Sequence, residues 1–165
     1  MSEPRIKPQI IPLSQFIAAA PDFADFIAES DRGLTANGYK QKIENKASGL
    51  TATYLHPKPK KILIQLYFKK SVLHMYIYGA FFDEYNGRLD KLPPRIASEI
   101  DTLSDCKWLH NPGSCNPLCP KGYEFTASGT VHKKCMFGRI SLALDSEIAE
   151  LAAVLQEPIK RQNFS

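Results

Sequence analysis

The chain has 165 residues, of which 44% are hydrophobic and 10% aromatic, and its formal net charge is +4 at pH 7. This composition is that of a globular domain with a buried core, and it excludes a largely disordered chain. No apolar run approaches the length of about 18 residues that a membrane-spanning helix needs, and the N-terminal residues contain no signal-like apolar stretch. We therefore expect a cytoplasmic protein without a membrane partner.

Lysines are concentrated in one segment of the chain. Between Tyr39 and His74, eight lysines stand against a single acid, Glu44, so this segment carries +7 and the remainder carries −3. Such an imbalance is typical of a surface that binds an anionic partner. Lysines at hairpin ends also prevent sheets from associating edge to edge. Because no nucleic-acid motif accompanies them, the lysines alone favour this second interpretation.

The N-terminal part of the sequence predicts an extended arm followed by two helices. Residues 1–12 contain three prolines, Ser14 is a candidate cap for a short helix, and Pro21 starts a second helix that Gly38 ends. The second helix has an apolar stripe at helical spacing, which predicts a buried face formed by Phe23, Phe26, Ile27 and Leu34.

From Tyr39 onward the pattern alternates with the period of a strand. Four strands are predicted over 39–45, 50–55, 61–69 and 72–80, and the absence of helices between them indicates an antiparallel meander. Lys70 and Ser71 form a tight turn between the last two strands. The face directed at a helical layer is predicted to consist of Ile62, Ile64, Leu66, Phe68, Leu73, Met75 and Ile77.

The rest of the chain predicts a helix after Pro93 and Pro94, a small hairpin over 123–134, a strand over 140–144 and a last helix capped by Asp145. We therefore predict one α+β domain, an antiparallel sheet with helices packed on one face. It divides into the arm at 1–12, a helix–meander–helix core at 13–104, and a cysteine-rich C-terminal segment at 105–165.

All four cysteines lie within 30 residues of that last segment, in the spacing C-x8-C-x3-C-x15-C. In a reducing cytoplasm, clustered thiols are more often metal ligands than disulfides. A tetrahedral zinc ion with four thiolates would have no open position, and the site would be structural rather than catalytic. The predicted zinc ligands are Cys106, Cys115, Cys119 and Cys135.

The spacing leaves alternatives open, because it lacks the narrow C-x2-C pairs of most zinc sites. The thiols could instead stay reduced, form disulfides, or hold an iron–sulfur cluster. His110 and His132 are reserve ligands for the metal.

A second group of candidate residues lies on the polar side of the predicted hairpin. Aromatic residues interleaved with lysine on an open sheet stack bases in several nucleic-acid-binding modules. The same side chains could line a small-molecule pocket, or they could pack beneath the cysteine-rich segment. The predicted ligand-binding residues are Tyr67, His74, Tyr76 and Tyr78.

No catalytic motif is present in the sequence, so an enzyme is less favoured than a binding module with an unidentified small-molecule or nucleic-acid ligand. The candidates for acid–base chemistry are His56, Asp83 and Glu84. An enzyme would require them to have polar partners in a concave site.

The chain resembles a family of small uncharacterised bacterial proteins. The resemblance rests on Gly38–Glu44, Leu92–Pro94, the run CNPLCPKGYEF over Cys115–Phe125, and the pair Lys134 and Cys135. The order of the core elements also distantly resembles YjbR/MmcQ-like and YdhG-like α+β domains, which lack the cysteine-rich segment. The resemblance implies the architecture and implies no activity.

Overall fold

The computed structural model describes residues 7–57, 61–119 and 121–159. Within these residues the chain forms eight strands: β1 (Gln9–Ile10), β2 (Lys40–Lys46), β3 (Gly49–Leu55), β4 (Ile62–Lys69), β5 (Val72–Tyr78), β6 (Tyr123–Ala127), β7 (Thr130–Lys134) and β8 (Arg139–Ala143). The same residues form six α-helices: α1 (Leu13–Ala19), α2 (Ala24–Ala36), α3 (Gly79–Glu84), α4 (Pro94–Glu99), α5 (Lys107–His110) and α6 (Leu151–Leu155).

The main sheet has six strands in the order β1-β2-β3-β4-β5-β8, and every neighbouring pair is antiparallel. The predicted α+β class and the antiparallel meander are confirmed, the meander being formed by β2 to β5. The edges come from distant parts of the chain, because β1 pairs with β2 and β8 pairs with β5. Strands β6 and β7 form a separate hairpin, as the sequence predicted.

One face of the main sheet is the floor of the hydrophobic core. A continuous cross-strand row, in which every side chain is at most 5% exposed, runs through Ile43, Ala52, Leu66, Met75 and Leu142. Burying an aliphatic side chain of this size contributes about 1.5–3 kcal/mol. This row is therefore a large part of what holds the sheet to the helices.

Of the predicted core residues of the hairpin, Ile64, Leu66, Leu73, Met75 and Ile77 are buried and Phe68 is half-buried. The prediction for Ile62 is wrong, because it pairs with Leu55 and lines a cavity on the opposite side of the sheet. Strict alternation with Ile64 and Leu66 would direct Leu63 to the opposite, polar side, yet it is fully buried. The register between β3 and β4 shifts at Tyr54 and Leu55. A bulge of this kind breaks the strict alternation of side chains, which explains why Leu63 and Ile64 are both inside.

Helix α2 packs against α6 through a close backbone approach. A Cβ atom added to Gly33 would lie 2.5 Å from the carbonyl oxygen of Leu155, so only glycine allows this approach. The predicted stripe of α2 is buried at Phe26, Ile27 and Leu34. Helix α1 begins at Leu13 without a side-chain cap, so the proposed capping role of Ser14 is wrong.

Helix α3 replaces the end of the strand that was predicted to reach Ala80. The chain turns at Gly79, whose N–H donates to the carbonyl oxygen of Gly138 at 3.0 Å. The turn directs Phe81 and Phe82 into the core, and Phe82 stacks on Phe125 of β6 at 5.3 Å between ring centroids. Helix α3 thus joins the small hairpin to the main sheet.

None of the helices in the described ranges is long and apolar enough to cross a membrane.

Candidate functional site

The side of the main sheet opposite the core, here called the polar face, contains the four predicted ligand-binding residues. The pairing of β4 with β5 places Tyr67 opposite His74 and Gln65 opposite Tyr76. Because side chains alternate between the two faces of a strand, Tyr78 projects to the same side as His74 and Tyr76. The sequence prediction that these residues share one face therefore agrees with the register.

These four residues form one aromatic cluster. The Tyr67 ring stacks on His74 at 4.8 Å and on Tyr76 at 4.6 Å between centroids, with interplanar angles of 10° and 24°. Tyr78 meets Tyr76 edge to face at 6.3 Å. Each of the four is half-buried and keeps part of its surface in solvent. Burial and the neighbouring Tyr76 hydroxyl raise the pKa of Tyr67, so its phenol stays neutral at physiological pH.

Arg139, the first residue of β8, completes the aromatic cluster. Its guanidinium carbon lies 3.9 Å from the centroid of the Tyr76 ring, and Nη1 donates to the Tyr78 hydroxyl at 3.4 Å. The contact with Tyr78 raises the pKa of Arg139. Sequence reasoning missed this residue, because the pairing of β8 with β5 joins positions far apart in the chain. The one sequence signal that could have found Arg139 is the alternation of β8, in which the polar residues Arg139 and Ser141 project to the same side of the strand.

The lysines of β2 and β4 lie on the same polar face as the aromatic cluster. Continuous cross-strand pairing runs from Lys42 through Thr53 and Gln65 to Tyr76. By strand alternation Lys40 and Lys46 project to the same side as Lys42, and Lys69 projects to the same side as Gln65. The lysine-rich segment therefore provides several cations on the side of the sheet that carries the aromatic residues.

Glu44 lies between two of these lysines. Its side chain is 8% exposed, and its carboxylate oxygens lie 3.4 Å from Nζ of Lys42 and 3.3 Å from Nζ of Lys46. A carboxylate removed from water in this way is stabilised by its paired ammonium groups. The lysines, which are 53% and 34% exposed, still reach solvent.

Two of the three candidates for acid–base chemistry, His56 and Glu84, are in contact at the edge of this face. Nε2 of His56 lies 3.2 Å from Oε1 of Glu84, and the Tyr39 hydroxyl donates to Oε2 of Glu84 at 2.9 Å. Both side chains of this contact are mostly buried, 17% and 20% exposed. Burial and the charge of Glu84 raise the pKa of Asp83. His56 also lines a cavity of about 510 Å³ on the polar face.

Two of the predicted zinc ligands are held by backbone pairing. The N–H of Cys106 donates to the Lys133 carbonyl at 2.9 Å, and the N–H of Cys135 donates to the Ser104 carbonyl at 2.7 Å. Asp105 and Lys134 form the antiparallel bridge between them. Cys106 and Cys135 are thus brought together from positions 29 residues apart.

The other two cysteines lie in a loop anchored beside Cys106. The Ser114 hydroxyl donates to the carbonyl of Lys107 at 2.8 Å, and a Cβ on Gly122 would lie 3.0 Å from Cβ of Cys106. Burial, a hydrogen bond with Cys115 and the nearby Cys135 and Cys106 thiols raise the pKa of Cys119. The four thiols form no disulfide with one another.

Within residues 7–57, 61–119 and 121–159, no three His, Cys, Asp or Glu side chains are grouped closely enough to hold a metal ion. The reserve ligands are directed at carboxylates, with His110 3.9 Å from Asp105 and His132 3.7 Å from Asp101. The thiols are therefore neighbours without the geometry of a formed metal centre.

The cysteine-rich segment meets the sheet at two places. A Cβ on Gly79, at the end of β5, would lie 2.9 Å from the Cys135 carbonyl oxygen, and Arg139 of the same segment covers the Tyr76 ring of the aromatic cluster. Comparison of the chain with protein-family models, with curated proteins and with solved structures found no match.

Proposed function

We propose that the protein binds single-stranded nucleic acid across the polar face of its main sheet. The observation that carries the proposal is the register, which aligns the lysines of β2 with the aromatic cluster on the same side. Within the described part of the chain, the cations on this face are Lys40, Lys42, Lys46, Lys69 and Arg139.

The two groups of side chains have complementary tasks on such a ligand. Stacking of a base on an exposed aromatic ring contributes about 1–3 kcal/mol, and it tolerates any base. Lysines contact the phosphates and release counterions, which supplies affinity without sequence preference. Lys42 and Tyr76 are separated by three spacings between neighbouring β-strands, or about 14 Å. A ligand that contacts both residues must span this distance, which favours an extended nucleic-acid strand over a small molecule.

The test is fluorescence anisotropy with labelled single-stranded RNA and DNA. Tyr78→Ala removes the ring of the aromatic cluster that meets Tyr76 edge to face, whereas the Tyr76 ring itself lies between Tyr67 and Arg139. The substitution should weaken binding by about 5- to 150-fold, the equivalent of one stacked base. Tyr78→Phe is the matched control, because it keeps the ring and should bind nearly as well as the unchanged protein. Absence of single-strand binding, or equal affinity of the alanine variant, would contradict the proposal.

The proposal includes a structural zinc ion held by Cys106, Cys115, Cys119 and Cys135. Its support is that backbone hydrogen bonds bring Cys106 and Cys135 side by side and that the loop with Cys115 and Cys119 is anchored beside Cys106, although no three of the described ligands are grouped closely enough to hold the ion in its absence. Zinc would draw the thiols together and displace their protons, coupling metal binding to the folding of this segment. A reducing compartment suits such a site, so the proposal includes a cytoplasmic location, and a bacterial source is what the resemblance implies.

Elemental analysis tests the zinc site. One zinc per chain, lost together with thermal stability in Cys115→Ser, is the expected result. Ser114→Ala is the control, because it removes the neighbouring hydroxyl and keeps all four thiols. Metal-free protein that melts at the same temperature as the zinc-supplemented protein would end this part of the proposal.

The contact between His56 and Glu84 favours a second candidate function, cleavage of bound RNA. His56, oriented by Glu84, would take the proton of a ribose 2′-hydroxyl as the 2′-oxygen bonds to the adjacent phosphorus. The bond from phosphorus to the 5′-oxygen would break, and water would protonate that oxygen. Denaturing gels should show shortened RNA, intact DNA, and no cleavage by His56→Ala. RNA that stays intact would exclude this candidate.

A further inference from the structure

The cavity of about 510 Å³ lies on the polar face between β2 and β4. Its volume is within the range of about 300–1,000 Å³ that small ligands occupy in proteins. Its walls include Lys40, Lys42, Lys46, Glu44, Gln65 and His56. Gln65 is also the cross-strand neighbour of Tyr76, so the cavity adjoins the aromatic cluster.

The charge of the cavity favours a dianion. Three lysines and one glutamate in its walls leave two positive charges without counting His56. A terminal phosphate monoester carries about −1.5 to −2 at pH 7, whereas each phosphate inside a strand carries a single charge. The charge of the cavity therefore matches the terminal phosphate of a nucleic-acid strand better than an internal phosphate.

Glu44 prepares the cavity for such a group. It holds the ammonium groups of Lys42 and Lys46 at 3.4 and 3.3 Å, on either side of one carboxylate. Each ammonium has three N–H donors, so one contact with Glu44 leaves two for phosphate oxygens. Lysines fixed before binding lose less side-chain freedom when a ligand arrives.

We propose that this cavity binds the terminal phosphate of a single strand whose bases stack on the aromatic cluster. The inference rests on the proposed function and specifies which ligands the polar face selects. The separation of about 14 Å from Lys42 to Tyr76 corresponds to about four nucleotides at a stacked spacing of 3.4 Å, and to fewer in a stretched strand. One short oligonucleotide spans both parts of the face.

The experiment compares three labelled oligonucleotides of one sequence: 5′-phosphorylated, 3′-phosphorylated and unphosphorylated, each with an internal label. One phosphorylated form should bind at least about tenfold more tightly than the unphosphorylated form, the effect of one charge-assisted hydrogen bond. The form that does so identifies the end that enters the cavity. The double variant Lys42→Ala, Lys46→Ala should lose this preference.

Lys69→Ala is the matched control, because Lys69 lies on the polar face and outside the cavity walls. It should weaken all three ligands equally and keep the preference. Equal affinity for the three ligands, or a preference that survives the double variant, would overturn the inference and leave the proposed function standing. Failure of every oligonucleotide to bind would overturn both.

Discussion

The salt dependence of binding is the most direct quantitative consequence of the polar face. Five cations of the described residues share this face: Lys40, Lys42, Lys46, Lys69 and Arg139. If each neutralises one phosphate, the logarithm of affinity should fall against the logarithm of salt with a slope of about −3.5. Raising salt from about 50 to about 200 mM should then weaken binding about 100-fold. Lys69→Ala should reduce the slope to about −2.8.

Anisotropy titrations at four salt concentrations measure these slopes. Lys91→Ala is the control, because it removes the same charge from a residue whose Nζ lies 2.7 Å from Glu157, away from the polar face. Its slope should equal that of the unchanged protein. A slope near −1, or equal slopes for the Lys69 and Lys91 variants, would refute the reasoning that these five cations act together on phosphates.

Three further predictions concern stability. Leu66→Ala should lower the free energy of unfolding by about 2–5 kcal/mol in urea titrations, because Leu66 is 1% exposed at the centre of the core row; a smaller loss would contradict that placement. Gly33→Ala should lower the melting temperature through the clash with the Leu155 carbonyl, and an unchanged value would show that α2 and α6 can separate. The hydrogen bond from Lys134 lowers the pKa of Asp105 in the folded protein. The ionised Asp105 carboxylate therefore stabilises the fold fully at a pH above the usual aspartate pKa, and this contribution is lost as the pH falls through the lowered pKa of the folded state. Melting curves of Asp105→Asn should show a smaller loss of stability in acid, and an unchanged pH profile would contradict this role.

The hairpin of β4 and β5 was predictable because its alternation is nearly strict. Buried Leu66 and Met75 and half-buried Tyr67 and Tyr76 follow directly from a period of two. Leu63 departs from the pattern because a bulge depends on the pairing of two strands, which a single strand's sequence does not reveal.

The edges of the sheet were less accessible to sequence reasoning. Strand β8 was predicted as a strand, but its pairing with β5 depends on tertiary packing across 60 intervening residues. The strand was predicted to continue through Gly79 to Ala80, whereas the chain bends at Gly79 and buries Phe81 and Phe82 in a helix.

The candidate site was predicted in part for the same reason. Alternation placed Tyr67, His74, Tyr76 and Tyr78 on one face, but Arg139 entered only through the pairing of β8. The contact of His56 with Glu84 joins a loop to the end of a helix 28 positions later, and no periodic pattern encodes such a meeting. Sequence named both residues as candidates and could not show that they are neighbours.

The pairing of β8 with β5 also has a consequence during synthesis on the ribosome. Strand β5 emerges before its outer neighbour has been translated, and 60 residues separate Tyr78 from Arg139. At ordinary elongation rates of about 5–20 residues per second, the edge of β5 that pairs with β8 remains without that strand for about 3–12 seconds. An unpaired strand edge invites association with other chains. The nascent chain is therefore most vulnerable to aggregation in the interval between these two strands.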